Sequence, residues 1–74
     1  MELTIIIQHG EDGWITGQLE QIPAVITQGR TMEELKFMLL DALALYLEVQ
    51  QEQTAKTYQG QDFSRETFGQ LNAA

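Results

Sequence analysis

The chain has 74 residues, no cysteine and one histidine, and its 11 Asp and Glu against 4 Lys and Arg give a formal net charge of −7. A chain this short forms one domain and buries only about 60% of the surface that its unfolded form exposes, so oligomerisation is the expected extra support. The composition argues against a disulfide framework, a closed structural zinc site and direct binding of nucleic acid.

The acidic surface has two interpretations, which the sequence leaves open: it attracts a basic partner, or it keeps a small protein soluble. The first residues carry Glu2 where a secretory signal would carry basic residues. No stretch approaches the ~20 apolar residues needed to span a bilayer. We therefore expect a cytoplasmic protein without membrane contact.

Three stretches have the chemistry of short β-strands. Residues 3–8 are β-branched and apolar, with Leu3, Ile5 and Ile7 on one face, and residues 14–19 resume this pattern after a turn-forming segment at 9–13. Residues 24–28 form a third alternating stretch. Pro23 precedes this stretch, at the strand entry, where its missing N–H does not interrupt the hydrogen bonds between strands. The pattern predicts an antiparallel three-stranded meander.

A long helix follows the third strand almost at once. Gly29 permits a sharp change of direction, and Thr31 with Glu34 fits a capping box, in which each residue bonds the other's backbone N–H. No further proline or glycine occurs before Gly60. The helix should therefore begin at Thr31 and run to about Gln51.

Apolar residues cover more than one face of this helix. At 100° per residue a broad arc faces the sheet, formed by Met32, Leu35, Met38, Leu39, Ala42, Leu43, Leu45, Tyr46 and Val49. Beyond that arc lie Phe37, Leu40, Ala44 and Leu47. Because a three-stranded sheet covers a stripe of only about 100°, these four residues are predicted to contact a second copy or another partner.

The fold class predicted is α+β, a three-stranded antiparallel meander packed by one long helix (β-β-β-α). We place the domain at residues 1–52 and a polar tail, partly ordered or disordered, at residues 53–74. Within the tail, Tyr58 is a candidate start for a short fourth strand, and Ser64 for a turn of helix through Phe68.

Residues that could support catalysis are few. His9 stands beside Gly10, Glu11 and Asp12, a combination that could act as a general base or hold a metal, but an exposed turn is the favoured interpretation. No phosphate-binding glycine loop or nucleophile elbow occurs. We assign no catalytic residue, metal or cofactor.

Trp14 and the acidic turn are further candidates for contact with a partner. An exposed tryptophan is a common interface anchor, although a half-buried core position is favoured for Trp14 in a strand. Glu11 and Asp12 could steer a basic partner towards the chain.

The first 50 residues resemble the HicB antitoxin family. The resemblance rests on the order of a set of residues, which are Glu11, Asp12, Gly13, Trp14, Pro23, Val25, Thr27, Gln28, Gly29, Thr31, Glu33, Glu34, Leu35, Ala42, Leu45, Tyr46, Leu47 and Glu48. It implies a β-β-β-α unit like a truncated ribonuclease H fold, often with a further short strand and commonly dimeric or tetrameric. It also implies binding and neutralisation of HicA, a small basic toxin that cleaves mRNA.

Two departures limit this resemblance. Ala24 follows Pro23 where family members usually have glycine, and the residues after Gln50 lack the basic, paired-helix character of the operator-binding segment of longer members. A nuclease activity would need several metal-binding carboxylates on the central strands, and residues 3–7 contain none. The alternative to an antitoxin is a stand-alone oligomer with a structural or regulatory role and no toxin partner.

Overall fold

A computed structural model describes residues 2–69 of the chain. It consists of strands β1 (Ile5–His9), β2 (Ile15–Leu19) and β3 (Ile26–Gly29), followed by helix α1 (Met32–Tyr58). The strands form one antiparallel sheet in the order β1-β2-β3. The predicted α+β fold with a β-β-β-α order is confirmed.

The register of the strands determines which side chains face the helix. Ile5 pairs with Leu19, Ile7 with Gly17, and Gly17 in turn with Thr27 of β3. Side chains alternate between the two faces of a strand, so the predicted face of Leu3, Ile5 and Ile7 is the one on the helix side. The opposite face of the sheet has no second layer over it in the described residues, and it exposes Ile6 and Ile26.

The core is small and lies between β2, the turn before β3 and the first half of α1. It contains the buried side chains Ile15, Leu19, Val25, Leu35 and Leu39. The half-buried side chains that pack against it are Leu3, Ile5, Ile22, Met32, Ala42, Leu43 and Tyr46.

The helix is much longer than the sheet beneath it. Its 27 residues extend about 40 Å, whereas a five-residue strand extends about 17 Å. The helix lies over β2 and β3 and not over β1. This explains why Met38, Leu45 and Val49, which we predicted in the core, are exposed: the sheet is too short and too narrow to cover them.

Two glycines let the helix approach the sheet closely. A Cβ atom at Gly29 would lie 2.8 Å from the backbone nitrogen of Leu35, and one at Gly17 would lie 2.9 Å from Leu35 Cδ2. Gly29 does not have a positive φ angle. The chain does turn from β3 into α1 just after Gly29, but the position requires glycine for close packing and not for a special backbone angle.

The start of the helix follows the prediction in its N-cap, and the end of the helix does not follow it. Of the two predicted capping-box bonds, the described residues show only the one that Thr31 accepts. Thr31 is the N-cap, and its Oγ1 accepts a hydrogen bond of 3.1 Å from the Glu34 backbone N–H. The helix ends at Tyr58 rather than near Gln51, since no proline or glycine intervenes and good helix formers follow Gln51, namely Glu52, Gln53, Ala55 and Lys56.

The residues after the helix contain no regular element up to residue 69. Tyr58 is the last helical residue, so it does not begin a fourth strand, and residues 64–68 do not form the predicted helical turn. The chain instead turns at Gly60, which has a φ of 81°, and brings the Phe63 ring to 6.0 Å from the Tyr58 ring. The last five residues of the predicted tail lie outside the described residues.

Candidate protein-binding surface

The most prominent surface feature is an apolar stripe along α1, formed by Phe37, Leu40, Ala44 and Leu47 and called here the helix stripe. All four side chains are exposed, Phe37 to 70%, Leu40 to 64% and Leu47 to 49%. Their spacing of three and four residues places them on one side of a helix. The structure therefore brings together all the helical residues that we predicted to contact a partner.

The helix stripe lies on a different side of α1 from the residues that pack on the sheet. Leu35 is fully buried and Leu39 is 4% exposed. At 100° per residue the stripe is centred roughly 160° from Leu35 and roughly 120° from Leu39 around the helix. The same helix thus has a side that forms the core and a side available for another molecule.

An apolar groove of about 450 Å³ adjoins the stripe. It exists because the helix does not lie over β1, and Leu40 belongs both to the groove and to the stripe. The residues that line it are Leu3, Ile5, Leu19, Lys36, Leu39, Leu40 and Leu43. The groove extends the apolar surface from the helix to the edge of the sheet.

A second cavity, of about 570 Å³, lies where the chain returns towards the end of the helix. Its helical lining includes Gln51, Thr54 and Tyr58, which continue the spacing of the stripe, and Phe63 lines it from the other side. The returning chain thus lies beside the C-terminal continuation of the stripe.

The other side of the helix also exposes apolar residues. Met38, Leu45 and Val49 are 39%, 62% and 40% exposed, and sequence reasoning missed them as surface residues because it assigned them to the core. A comparison of helix length with strand length could have revealed them, since five-residue strands cannot cover so long a helix.

The acidic turn between β1 and β2 is held by its own hydrogen bonds. The Gly10 N–H donates to the Trp14 carbonyl oxygen at 2.8 Å, and the Trp14 N–H donates to Asp12 Oδ1 at 3.2 Å. Gly13 has a φ of 86°, which glycine adopts without strain. Asp12 therefore shapes the turn, while Glu11 is exposed and has no such contact in the described residues.

Trp14 is half-buried but lies outside the core cluster. It precedes Ile15, which faces the helix, so alternation places Trp14 on the opposite side of the sheet. There the guanidinium carbon of Arg30 lies 4.4 Å from the centre of the indole ring, within the range of a cation–π interaction. The prediction that Trp14 takes a core position is therefore wrong, because the side chain of Arg30 covers its indole ring.

The predicted contact residues therefore form two separate groups. The helix stripe lies on the outer side of the helical layer, whereas Glu11, Asp12 and Trp14 lie at or near the β1–β2 turn. The structure does not bring these two groups together into one surface.

Groups suited to catalysis do not cluster in the described residues. His9 is exposed at the end of β1, and residues 2–69 contain no group of three or more His, Cys, Asp or Glu side chains placed to hold a metal ion. Over the same residues, α1 is not apolar enough to cross a membrane.

Comparison with known proteins finds a relative of similar size. The chain is 35% identical over 49 residues to a UPF0150 protein of Archaeoglobus fulgidus, an alignment that covers 66% of this chain and 71% of the relative. No family model matches the chain, and no solved structure matches it.

Proposed function

The chain belongs to the UPF0150 family, and we propose that it is a non-enzymatic protein-binding module that acts as a HicB-like antitoxin. Its partner would be a small, basic, HicA-type toxin that cleaves mRNA, and the chain would neutralise the toxin by binding it. The resemblance of residues 11–48 to HicB antitoxins supports this proposal.

The observation that carries the proposal is the exposed helix stripe. A monomer that leaves Phe37 and Leu40 more than 60% exposed on one helix side retains apolar area that association would remove from water. Clustered surface of this kind marks protein interfaces, whereas apolar residues scattered singly do not.

The negative charge of the chain is the second observation that supports the proposal. A formal charge of −7 on 74 residues attracts a basic protein and raises the rate of encounter with it. Glu11 is exposed at the tip of the β1–β2 turn, where it can meet a basic surface before the two chains dock.

Co-expression tests the proposal directly. A small basic protein encoded beside this chain should arrest growth when expressed alone, and growth should recover when this chain is supplied. The two proteins should also co-purify as a complex. A toxin that stays lethal in the presence of the folded chain, with no complex recovered, would refute the antitoxin role.

A charge variant makes the test specific to the acidic turn. Glu11→Lys should lower the association rate by roughly tenfold at low salt, an effect that should shrink as ionic strength rises. Asp12 is kept because its carboxylate holds the turn. Glu52→Lys, an equal charge change on the exposed part of the helix, is the control and should have a smaller effect.

A stand-alone oligomer with a structural or regulatory role is the second candidate. The helix stripe favours it equally, because a second copy covers the same apolar area as a foreign protein would. The two candidates separate in the co-expression test, since a stand-alone oligomer rescues no toxin-arrested cell.

A further inference from the structure

We propose that the helix stripe pairs with the helix stripe of a second copy of this chain, with the two helices parallel and in register. This inference rests on the second candidate function, in which a second copy covers the helix stripe. It adds the surface used, the orientation of the helices and the residues that select that orientation.

The spacing of the stripe is that of a two-helix seam. Phe37, Leu40, Ala44 and Leu47 are separated by three, four and three residues, the a and d positions of a heptad pattern, in which side chains of one helix fit between those of its neighbour. The large Phe37 and the small Ala44 occupy equivalent positions.

The segment that follows the helix limits the length of the seam. Gln51, Thr54 and Tyr58 continue the same spacing, but the returning chain lies beside them and places Phe63 near Tyr58. The segment from Phe37 to Leu47 carries no such covering chain and exposes all four of its apolar side chains.

Charges beside the seam favour a second copy in a parallel orientation. With Phe37 at position a, Lys36 takes position g, and Asp41 and Glu48 take position e. In a parallel pair the g position of one helix meets the following e position of the other, so Lys36 faces the partner's Asp41 and the two-fold axis repeats the contact.

An antiparallel pair has the opposite electrostatics. There the e positions of the two helices face each other, which brings the acidic flank of Asp41 and Glu48 against the same acidic flank of the second copy. Like charges at that distance repel. The charge pattern of residues 36–48 therefore selects the parallel arrangement.

The size of the contact sets the strength of the dimer. A standard interface buries about 800 Å² per partner over 20–30 residues, so a seam of about eight residues per chain, the a, d, e and g positions of residues 36–48, buries roughly a third of that area. We therefore expect a dimer that dissociates measurably in the micromolar range.

Single-cysteine variants test the orientation, because the natural chain has no cysteine. In a parallel, in-register pair each seam residue lies beside its own copy, so Ala44→Cys should form a covalent dimer on mild oxidation or with a short bismaleimide. Leu47→Cys is a second seam variant in case one of them folds poorly. Val49→Cys, equally far along the helix but on its other side, should crosslink at least tenfold more slowly.

The outcomes separate the alternatives. Crosslinking only in a mixture of Leu40→Cys and Ala44→Cys chains would show antiparallel pairing and overturn the proposal, as would faster crosslinking of Val49→Cys. A folded chain that light scattering finds monomeric at all concentrations would overturn both this inference and self-association. Because these experiments use the chain alone, they leave the toxin-binding test independent.

A charge exchange tests the proposed contact between Lys36 and Asp41. Lys36→Asp and Asp41→Lys should each raise the dimer dissociation constant by about fivefold to tenfold, and the double variant should return it to near the natural value. If the double variant weakened the dimer by the sum of the two single effects, the two residues would not meet. That result would contradict the parallel register.

Discussion

The two ends of α1 are held by very different means. At its start, Thr31 caps the helix and Leu35 is fully buried against Gly17 and Gly29. At its other end, every residue from 47 to 58 is exposed. One continuous helix therefore has a half that is fixed by the sheet and a half that the sheet does not support.

This difference shows that the helix has separate structural and surface roles along its length. Isolated helices shorter than about 12–15 residues are marginal in water, so the second half depends on continuity with the first half and on any molecule that covers it. Stability should be sensitive to changes near Leu35 and insensitive to the same changes at the exposed positions from Leu45 onward. Two matched pairs of substitutions test this contrast, and a further pair tests how the sheet fixes the first half.

The largest effect is expected from truncating a leucine in the half of the helix that the sheet fixes. Leu35→Ala removes a fully buried side chain and should lower the free energy of unfolding by about 2–5 kcal/mol. Leu45→Ala removes the same atoms from a side chain that is 62% exposed. It should change the free energy of unfolding by less than about 0.5 kcal/mol. Urea denaturation at low protein concentration measures both.

A loss at Leu45 comparable with that at Leu35 would mean that the second half of the helix is packed in solution. Repeating the measurement across protein concentrations separates a packed monomer from an oligomer, because only the oligomer's stability depends on concentration.

Adding a methyl group at the helix–sheet contact should have the next largest effect. Gly29→Ala places its Cβ 2.8 Å from the Leu35 nitrogen and should cost about 1–3 kcal/mol, because backbone cannot move aside cheaply. Gly17→Ala meets the Leu35 side chain instead, at 2.9 Å. Thermal unfolding of the single variants, and of each combined with Leu35→Val, measures the difference.

The double variants give the sharper result. A shorter side chain at position 35 should relieve the clash at Gly17→Ala and leave that at Gly29→Ala unchanged, so only the first pair should be non-additive. Additive effects at both positions would contradict the two contacts described here.

These contacts also show what the sequence could predict and what it could not. The three strands and the start of the helix were predictable because alternation, turn residues and the Thr31 cap are local signals. The close approach of Gly17 and Gly29 to Leu35 was not, since it depends on residues brought together only by the fold.

The candidate surface was predictable for a similar reason. The helix stripe was identified because its residues lie beyond the arc that a small sheet can cover, a property of the helix alone. The exposure of Met38, Leu45 and Val49 depends on how the helix lies on the sheet, and the cover over Trp14 depends on where Arg30 falls. These features follow from tertiary placement and have no local signal.

The smallest effect, and the one that changes sign along the helix, is expected from removing a threonine hydroxyl. Thr31→Ala deletes the acceptor of the Glu34 N–H and should destabilise the protein by about 1 kcal/mol. In the unsupported half, the Thr54 hydroxyl only donates back to the Gln50 carbonyl oxygen, so Thr54→Ala should stabilise by a few tenths of a kcal/mol through alanine's higher helix propensity. Circular dichroism at the helix minimum during thermal unfolding measures both changes, and destabilisation by Thr54→Ala would show that the hydroxyl lies in a contact absent from the monomer.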